Sequence, residues 1–353
     1  MLPRHLRELG FGEAHIGLVM GAFPLASILA MPSTAQLSDR AGRRAPMIAG
    51  LLLCGLSCAA MILARSLSGF FFARVGAGVG WAGVLVGGSI YTAELAPVGR
   101  LAQAMGVAGI LTLVAMAIGP SLGEVIVHRA SFEILFAVAA ALCFAGAAVA
   151  LALPKTRPTI VVGPRGRGLS FDPVLRRPLV VTCLVSTGFG AIVSFLADFT
   201  SLTGAGGVAG FFNAYVALAI FARIAGGSWS DRFGRLRVIL PSLVGQALAL
   251  GTLALHTAGW QLVPAGALFG FSHGMYYPAL QAFTVERVAP PRRARTVASF
   301  NFAFSGGIAA SALLNGLVAE RFGYRAVYLL CASAALVSAG LLASERGTRT
   351  AAD

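Results

Sequence analysis

Acidic residues are scarce in this chain: 13 Asp and Glu among 353 residues, against 27 Lys and Arg. Charged residues of both signs reach 11%, less than half of the roughly 25% usual in a soluble domain. Too little polar surface remains to face water, which excludes an ordinary soluble protein. Lysine is almost missing. Lys155 is its single instance and the other basic residues are Arg, a compositional bias with no functional content. The five cysteines (Cys54, Cys58, Cys143, Cys183 and Cys331) all fall inside apolar runs, so no disulfide framework is indicated. Cys54 and Cys58, four apart, share a helix face and read as small packing residues rather than a metal or redox pair. There is no phosphate-binding Gly-Lys-Ser/Thr loop, no His-Glu-x-x-His and no Cys-x-x-Cys. These absences argue against an enzyme and against a nucleotide-driven pump, and no metal or organic cofactor is expected.

What the chain has instead is long apolar runs and a mean hydropathy of +0.82. About twenty apolar residues cross a bilayer. Eleven such stretches are expected, near 14–35, 46–64, 68–93, 103–124, 132–153, 178–199, 207–229, 238–256, 261–284, 294–319 and 325–343. Lipid offers no partners for backbone polar groups, so each must be a helix. Abundant Gly and Ala suit the close approach of membrane helices. The expected fold is an all-α polytopic bundle: a first helical half over 1–153, a Pro/Gly/Arg-rich linker over 154–177, a second half over 178–343 and a tail over 344–353. A secretory signal at the N-terminus is disfavoured, because the run is too long and the charges from Asp39 to Arg44 close it.

A net charge of +14 invites a nucleic-acid reading. The placement of the charges argues otherwise, because they form short clusters between apolar runs. Nineteen Lys and Arg collect on one side of the expected topology and six on the other. The richer side is expected to be cytoplasmic, which puts the C-terminus inside the cell. The expected surroundings are the lipid bilayer of a bacterial inner membrane, with a small molecule as ligand and no nucleic acid.

The chain also repeats itself at one offset of 192 residues. Leu37–Arg43 falls on Trp229–Arg235, and Tyr91–Glu94 falls on Phe283–Glu286. Arg100 then meets Arg292, Arg129 meets Arg321, Phe132 meets Tyr324 and Phe136 meets Tyr328. Two homologous halves follow, a recurrent transporter architecture. The same offset places the partner of the 178–199 helix at positions before Met1. The first half is therefore expected to hold five helices and the second six, through a start codon assigned too late or through truncation.

The loop expected after the first span, Ala35-Gln36-Leu37-Ser38-Asp39-Arg40-Ala41-Gly42-Arg43-Arg44, resembles the signature Gly-x-Leu-x-Asp-Arg-x-Gly-Arg-Arg of the major facilitator superfamily, with Ala35 in place of the first Gly, and its glycine is expected to permit a tight turn. The second copy, Gly227 to Arg235, keeps that Gly and carries Asp231, Arg232, Gly234 and Arg235. The resemblance implies a twelve-helix transporter fold and two cytoplasmic charge networks that latch one conformation. Asp39, Arg43 and Glu94 would form one, and Asp231, Arg235 and Glu286 the other. The alternative is that these charges only set orientation. Gly119-Pro120-Ser121-Leu122-Gly123 resembles a helix-bend element of the family's antiporters, with Ala115 and Glu124 replacing two of its glycines. It leans the reading toward efflux. Arg74-Val75-Gly76-Ala77-Gly78-Val79-Gly80 resembles the family's Arg-x-x-x-Gly-x-Gly stretch in helix four.

Ionisable groups inside membrane helices face a cavity or a partner. Arg74 and Arg223 are thus candidates for an anionic group or for proton coupling, with a structural pairing as the alternative. Arg223 stands eight residues before Asp231, about 12 Å into the helix at 1.5 Å per residue. His273 lies mid-span and can titrate near neutral pH; it either serves the substrate or proton, or ties two helices. Asp198 and Glu124 lie near outer ends of their spans. Asn213, Asn301 and Asn315 line the cavity or bridge helices. The sum is a proton-coupled secondary transporter of a small organic solute, expected to work as a monomer. An importer of the same fold and a non-transporting membrane protein are the rival readings.

Overall fold

The computed structural model describes residues 1–95, 101–154, 172–205, 207–289 and 293–349. Among them there is no strand. The helices are α1 (Leu2–Glu8), α2 (Glu13–Ala41), α3 (Arg44–Leu63), α4 (Leu67–Leu95), α5 (Leu101–Arg129), α6 (Phe132–Ala152), α7 (Arg176–Leu202), α8 (Ala209–Phe233), α9 (Arg235–Leu255), α10 (Leu262–Val285) and α11 (Arg293–Arg349). α11 turns at Gly323 (φ 76°, ψ 171°), so its two arms account for two of the expected spans. Seven segments among the described residues are long and apolar enough to cross a membrane, the last of them Thr296–Ser344. The final helix reaches Arg349 and thus runs six residues past the expected end of the apolar stretch at 343. Most of the linker, 155–171, lies outside the described residues.

Two compact units divide the chain. One comprises Met1–Ala115 and Leu122–Gly163, the other Met116–Ser121 and Pro164–Asp353.

The offset of 192 recurs in the backbone. α2 ends at Gly42 (φ 83°, ψ 163°) and α8 at Gly234 (φ 89°, ψ 145°), a left-handed conformation that glycine adopts without strain. α3 ends at Ala64 (φ −67°, ψ 131°) and α9 at His256 (φ −61°, ψ 142°). Between α5 and α6 the chain breaks at Ser131, whose side chain caps α6 by accepting from the Ile134 N–H; the counterpart of Ser131 is Gly323. Packing repeats as well. α4 lies on α2 and α3, and α3 on α6; likewise α10 lies on α8 and α9, and α9 on α11.

Glycine fixes the closest of these approaches. A Cβ at Gly78 in α4 would overlap the Phe23 carbonyl oxygen of α2, and one at Gly270 in α10 would overlap the Tyr215 carbonyl oxygen of α8. Those four positions are 192 apart in pairs, so one helix contact is built twice. The short α1 obeys the same rule. His5 packs on Phe132 (4.6 Å between ring centres) and Phe136 (5.6 Å). Their counterparts Tyr324 and Tyr328 receive Phe199 of α7 at 5.6 and 5.3 Å. α1 thus holds the place that the last turns of α7 hold in the second unit.

Candidate functional site

Two regions combine the residues expected to matter. The first is the pair of corners that follow α2 and α8. The sequence reading treats the signature as a loop, but residues 35–41 complete the last turns of α2 and only Gly42 leaves the helix. The turn therefore belongs to Gly42 and Gly234, not to the motif's first residue. At each corner the following arginine folds back onto the preceding helix. Arg43 donates to the Ser38 hydroxyl (3.3 Å), and Arg235 donates to the Ser230 hydroxyl (2.9 Å). Arg235 continues to Glu286 at the end of α10, with N–O separations of 2.8 to 3.4 Å. Of the expected network, Arg235 and Glu286 are thus joined. These two side chains are 24% and 52% exposed, a solvated tie of modest strength. Arg43 is 4% exposed. The side chains of Asp39, Glu94 and Asp231 lie outside the described residues, while Arg40 and Arg232 point to solvent. Arg44 does something the second copy cannot, since position 236 is Leu: it donates to the Leu151 and Leu153 carbonyls and caps the end of α6.

The second region lies inside the second unit, where four helices meet around His273. The Tyr215 hydroxyl of α8 and the His273 Nδ1 of α10 hydrogen bond at 2.7 Å, and the two rings stack at 17°. Phe189 of α7 approaches the imidazole at 5.5 Å, and Phe304 of α11 lies parallel to it at 6.1 Å. Tyr277, one turn further along α10, meets the imidazole edge-on at 5.5 Å and Phe304 at 4.9 Å. His273 itself is buried, and its Nε2 has no hydrogen-bond partner among the described residues. Phe189, Tyr277 and Phe304 are half-buried, as is Arg223. The guanidinium of Arg223 acts electrostatically on Tyr215, His273 and Tyr277, and among the described groups no carboxylate does. Arg223 has neither ion pair nor hydrogen bond among the described residues.

The remaining candidates are dispersed. Arg74, in α4, sets its guanidinium 4.4 Å over the Phe23 ring of α2, and its Nε is buried without a hydrogen bond among the described residues. Asp198 is fully buried near the C-terminal end of α7, with the Tyr328 ring of α11 in its field. Glu124 is half-buried on α5, Asn301 is half-buried on α11 and Asn213 is exposed on α8. Asn315 ties the two arms of α11 by donating to the Ser311 hydroxyl (2.6 Å) and approaching the Cys331 sulfur (3.5 Å). α5 stays helical through Pro120. A Cβ at Gly119 would meet open space, whereas one at Gly123 would press on the Met1 side chain, so of these two only Gly123 serves close packing.

Sequence reasoning missed the rings around His273: Phe189, Tyr215, Tyr277 and Phe304. The signal was available. At the offset of 192, Tyr215 and His273 fall on Phe23 and Trp81, which also face each other across α2 and α4 (6.5 Å). The ring pair is a shared element, and among the described residues only the second unit joins it by a hydrogen bond.

An all-helical, internally duplicated bundle with membrane-spanning helices, mirrored corners and a buried polar cluster has the build of a polytopic transporter. The chain belongs to the Major Facilitator Superfamily, whose sequence profile matches residues 1–227 and again 179–351. It is a multi-pass membrane protein of a transporter family, not an enzyme. It is 26% identical over 359 residues to the MFS-type transporter YhhS of Escherichia coli (strain K12), spanning 98% of this chain and 87% of that one. An MFS-type transporter of Burkholderia mallei (strain SAVP1) is 26% identical over 345 residues, covering 95% and 84%. In fold, the chain resembles the nucleoside transporter NupG (TM-score 0.78, 14% identity, 95% and 92% covered). It also resembles a bacterial homologue of the human lysosomal transporter Spinster (TM-score 0.71, 16% identity, 97% and 89% covered).

Proposed function

We propose that this protein is a proton-coupled secondary transporter of the bacterial inner membrane that exports a small organic solute by alternating access. The observation that carries the reading is the corner built twice, Ser38-Gly42-Arg43 and Ser230-Gly234-Arg235, with a solvated tie from Arg235 to Glu286. An exposed ion pair contributes about 0.2–1 kcal/mol. Such a tie is strong enough to favour one conformation and weak enough to release it. The arginine-rich corners face the cytoplasm in this reading, as their charge favours. His273 is the titratable group that links the proton to the solute. The export direction rests on the Gly119-Pro120 element, which resembles that of antiporters.

Everted membrane vesicles test the direction and the coupling together. With a solute library and an inside-acid gradient, at least one solute should accumulate in everted vesicles and leak out on adding a protonophore. Accumulation only in right-side-out vesicles would make the protein an importer, and accumulation indifferent to the gradient would remove proton coupling. Asp39→Asn and Asp231→Asn should each slow this flux at unchanged membrane abundance; full flux in both would remove the latch.

A further inference from the structure

The ring pair at the α8–α10 contact has a control inside the same molecule. Phe23 and Trp81 fill the matching places in the first unit by ring contact, with no hydrogen bond between the two side chains among the described residues. Tyr215 and His273 occupy the matching places in the second unit, joined by a hydrogen bond that still leaves His273 Nε2 without a partner among the described residues. A buried polar group left unmade is destabilising. Packing therefore does not explain the polar version. A half-buried arginine without a described partner stands within electrostatic reach of the same rings, a second unfavourable group in one place.

The sign of the charge selects the ligand. A cluster of Phe and Tyr faces alone would read as a cage for an organic cation. Arg223 reverses that, because its guanidinium lies close enough to act electrostatically on Tyr215, His273 and Tyr277, and the described groups supply no carboxylate to offset it. A cation entering here meets like charge; an anion meets a planar fork of donors suited to carboxylate or phosphate oxygens. The rings add a demand for flatness. Tyr277 and Phe304 stand at 77° to each other and are half-buried, so a planar ring can pack edge-to-face against either one.

We propose that the solute of this protein is an aromatic anion, with its acidic group on Arg223 and its ring against Tyr277 and Phe304. The inference rests on the transport reading above and narrows it to a substrate class.

Purified full-length protein in detergent, followed by thermal shift and equilibrium binding, supplies the test with three small probes. 1-Naphthoate presents ring and anion, cyclohexanecarboxylate the anion without the flat ring, and 1-naphthylmethylammonium the ring with the opposite charge. Naphthoate should bind, the aliphatic acid about tenfold or more weakly, and the ammonium not at all. Arg223→Gln should weaken naphthoate about tenfold or more, while Arg223→Lys retains part of the affinity. Tyr277→Leu and Phe304→Leu should erase the preference for naphthoate over cyclohexanecarboxylate. The unliganded melting temperature of each variant separates lost binding from lost folding. Tighter binding of the ammonium, or naphthoate affinity unchanged in Arg223→Gln, overturns the proposal. Proton-linked flux of some solute without binding of any aromatic anion sinks this inference alone. Aromatic anions that bind but are never moved would sink the transport reading and leave the site standing.

Discussion

The two units share a scaffold and differ in what they line it with. In both, a glycine of the later helix rests against the backbone of the earlier one, at Gly78 on Phe23 and at Gly270 on Tyr215. The side-chain pair beside that contact meets through ring contact alone in the first unit and through a hydrogen bond in the second. The basic residue near it also changes helix: Arg74 comes from α4 and sits on a ring, while Arg223 comes from α8 and has no described partner. Backbone geometry and chemistry are thus separable here, since duplication preserved the first while the second diverged.

The largest expected effect probes what is shared. Gly78→Ala and Gly270→Ala each put a methyl group into a backbone carbonyl that cannot yield, an overpacking that costs about 1–3 kcal/mol or more. Both variants should lower the melting temperature by similar amounts. A large drop in only one of them would mean that the two contacts are not equivalent.

The next effect probes what differs. His273→Phe alone leaves the Tyr215 hydroxyl buried without a partner, a loss of about 1–3 kcal/mol. Tyr215→Phe with His273→Phe replaces both partners by apolar rings and should restore stability to near the native value, while proton-linked flux stays below about a tenth of normal. The double variant would then be a second unit with the first unit's lining. A double variant that transports normally would show that the polar pair is structural.

The corners sharpen the comparison further. Arg43 is buried and Arg235 is partly exposed, although both bond to the serine five residues back. Arg43→Gln should therefore cost about 1–3 kcal/mol, and Arg235→Gln only about 0.2–1 kcal/mol. Flux should fall in Arg235→Gln beyond what its melting temperature explains. Equal stability losses would mean that the burial difference carries no weight.

Much of this was legible in the sequence because it depends on one-dimensional properties. Apolar length gave the helices, and the offset of 192 gave the duplication, down to the paired glycine corners. The position of the turn was misjudged, because a signature of charged residues looks like a loop although a helix carries charge freely at its polar end. The break inside α11 follows from Gly323 only once its counterpart Ser131 is seen to interrupt α5 and α6. Arg223 and His273 were visible as ionisable residues in apolar runs. Their neighbourhood was not, since Phe189, Tyr215, Tyr277 and Phe304 come from four helices and each is individually ordinary in a membrane span. Burial of Asp198 was equally hidden, because an interfacial carboxylate and a buried one have the same sequence context.

The smallest effect concerns the ring clusters at α1 and at the end of α7. Phe195 and Phe199 meet Tyr324 and Tyr328 in the second unit, and His256 at the end of α9 packs edge-on against Phe199 at 4.7 Å. In the first unit the corresponding place holds His5, in the short helix that precedes the spanning segment Glu13–Ser38. Burial against Phe70, Phe132 and Phe136 holds its imidazole below the ordinary 6.5, partly opposed by Glu133 and Glu8. The folded form therefore prefers the neutral ring. As pH falls through 6.5, the unfolded chain takes up the proton first, and stability present above that pH is lost. His5→Phe removes the imidazole from the first unit's cluster and leaves only phenyl rings there. Its melting temperature should vary less between pH 7.5 and pH 5 than that of the native chain, with the two curves converging at the alkaline end. A variant whose acid sensitivity matches the native curve would assign that sensitivity to another group.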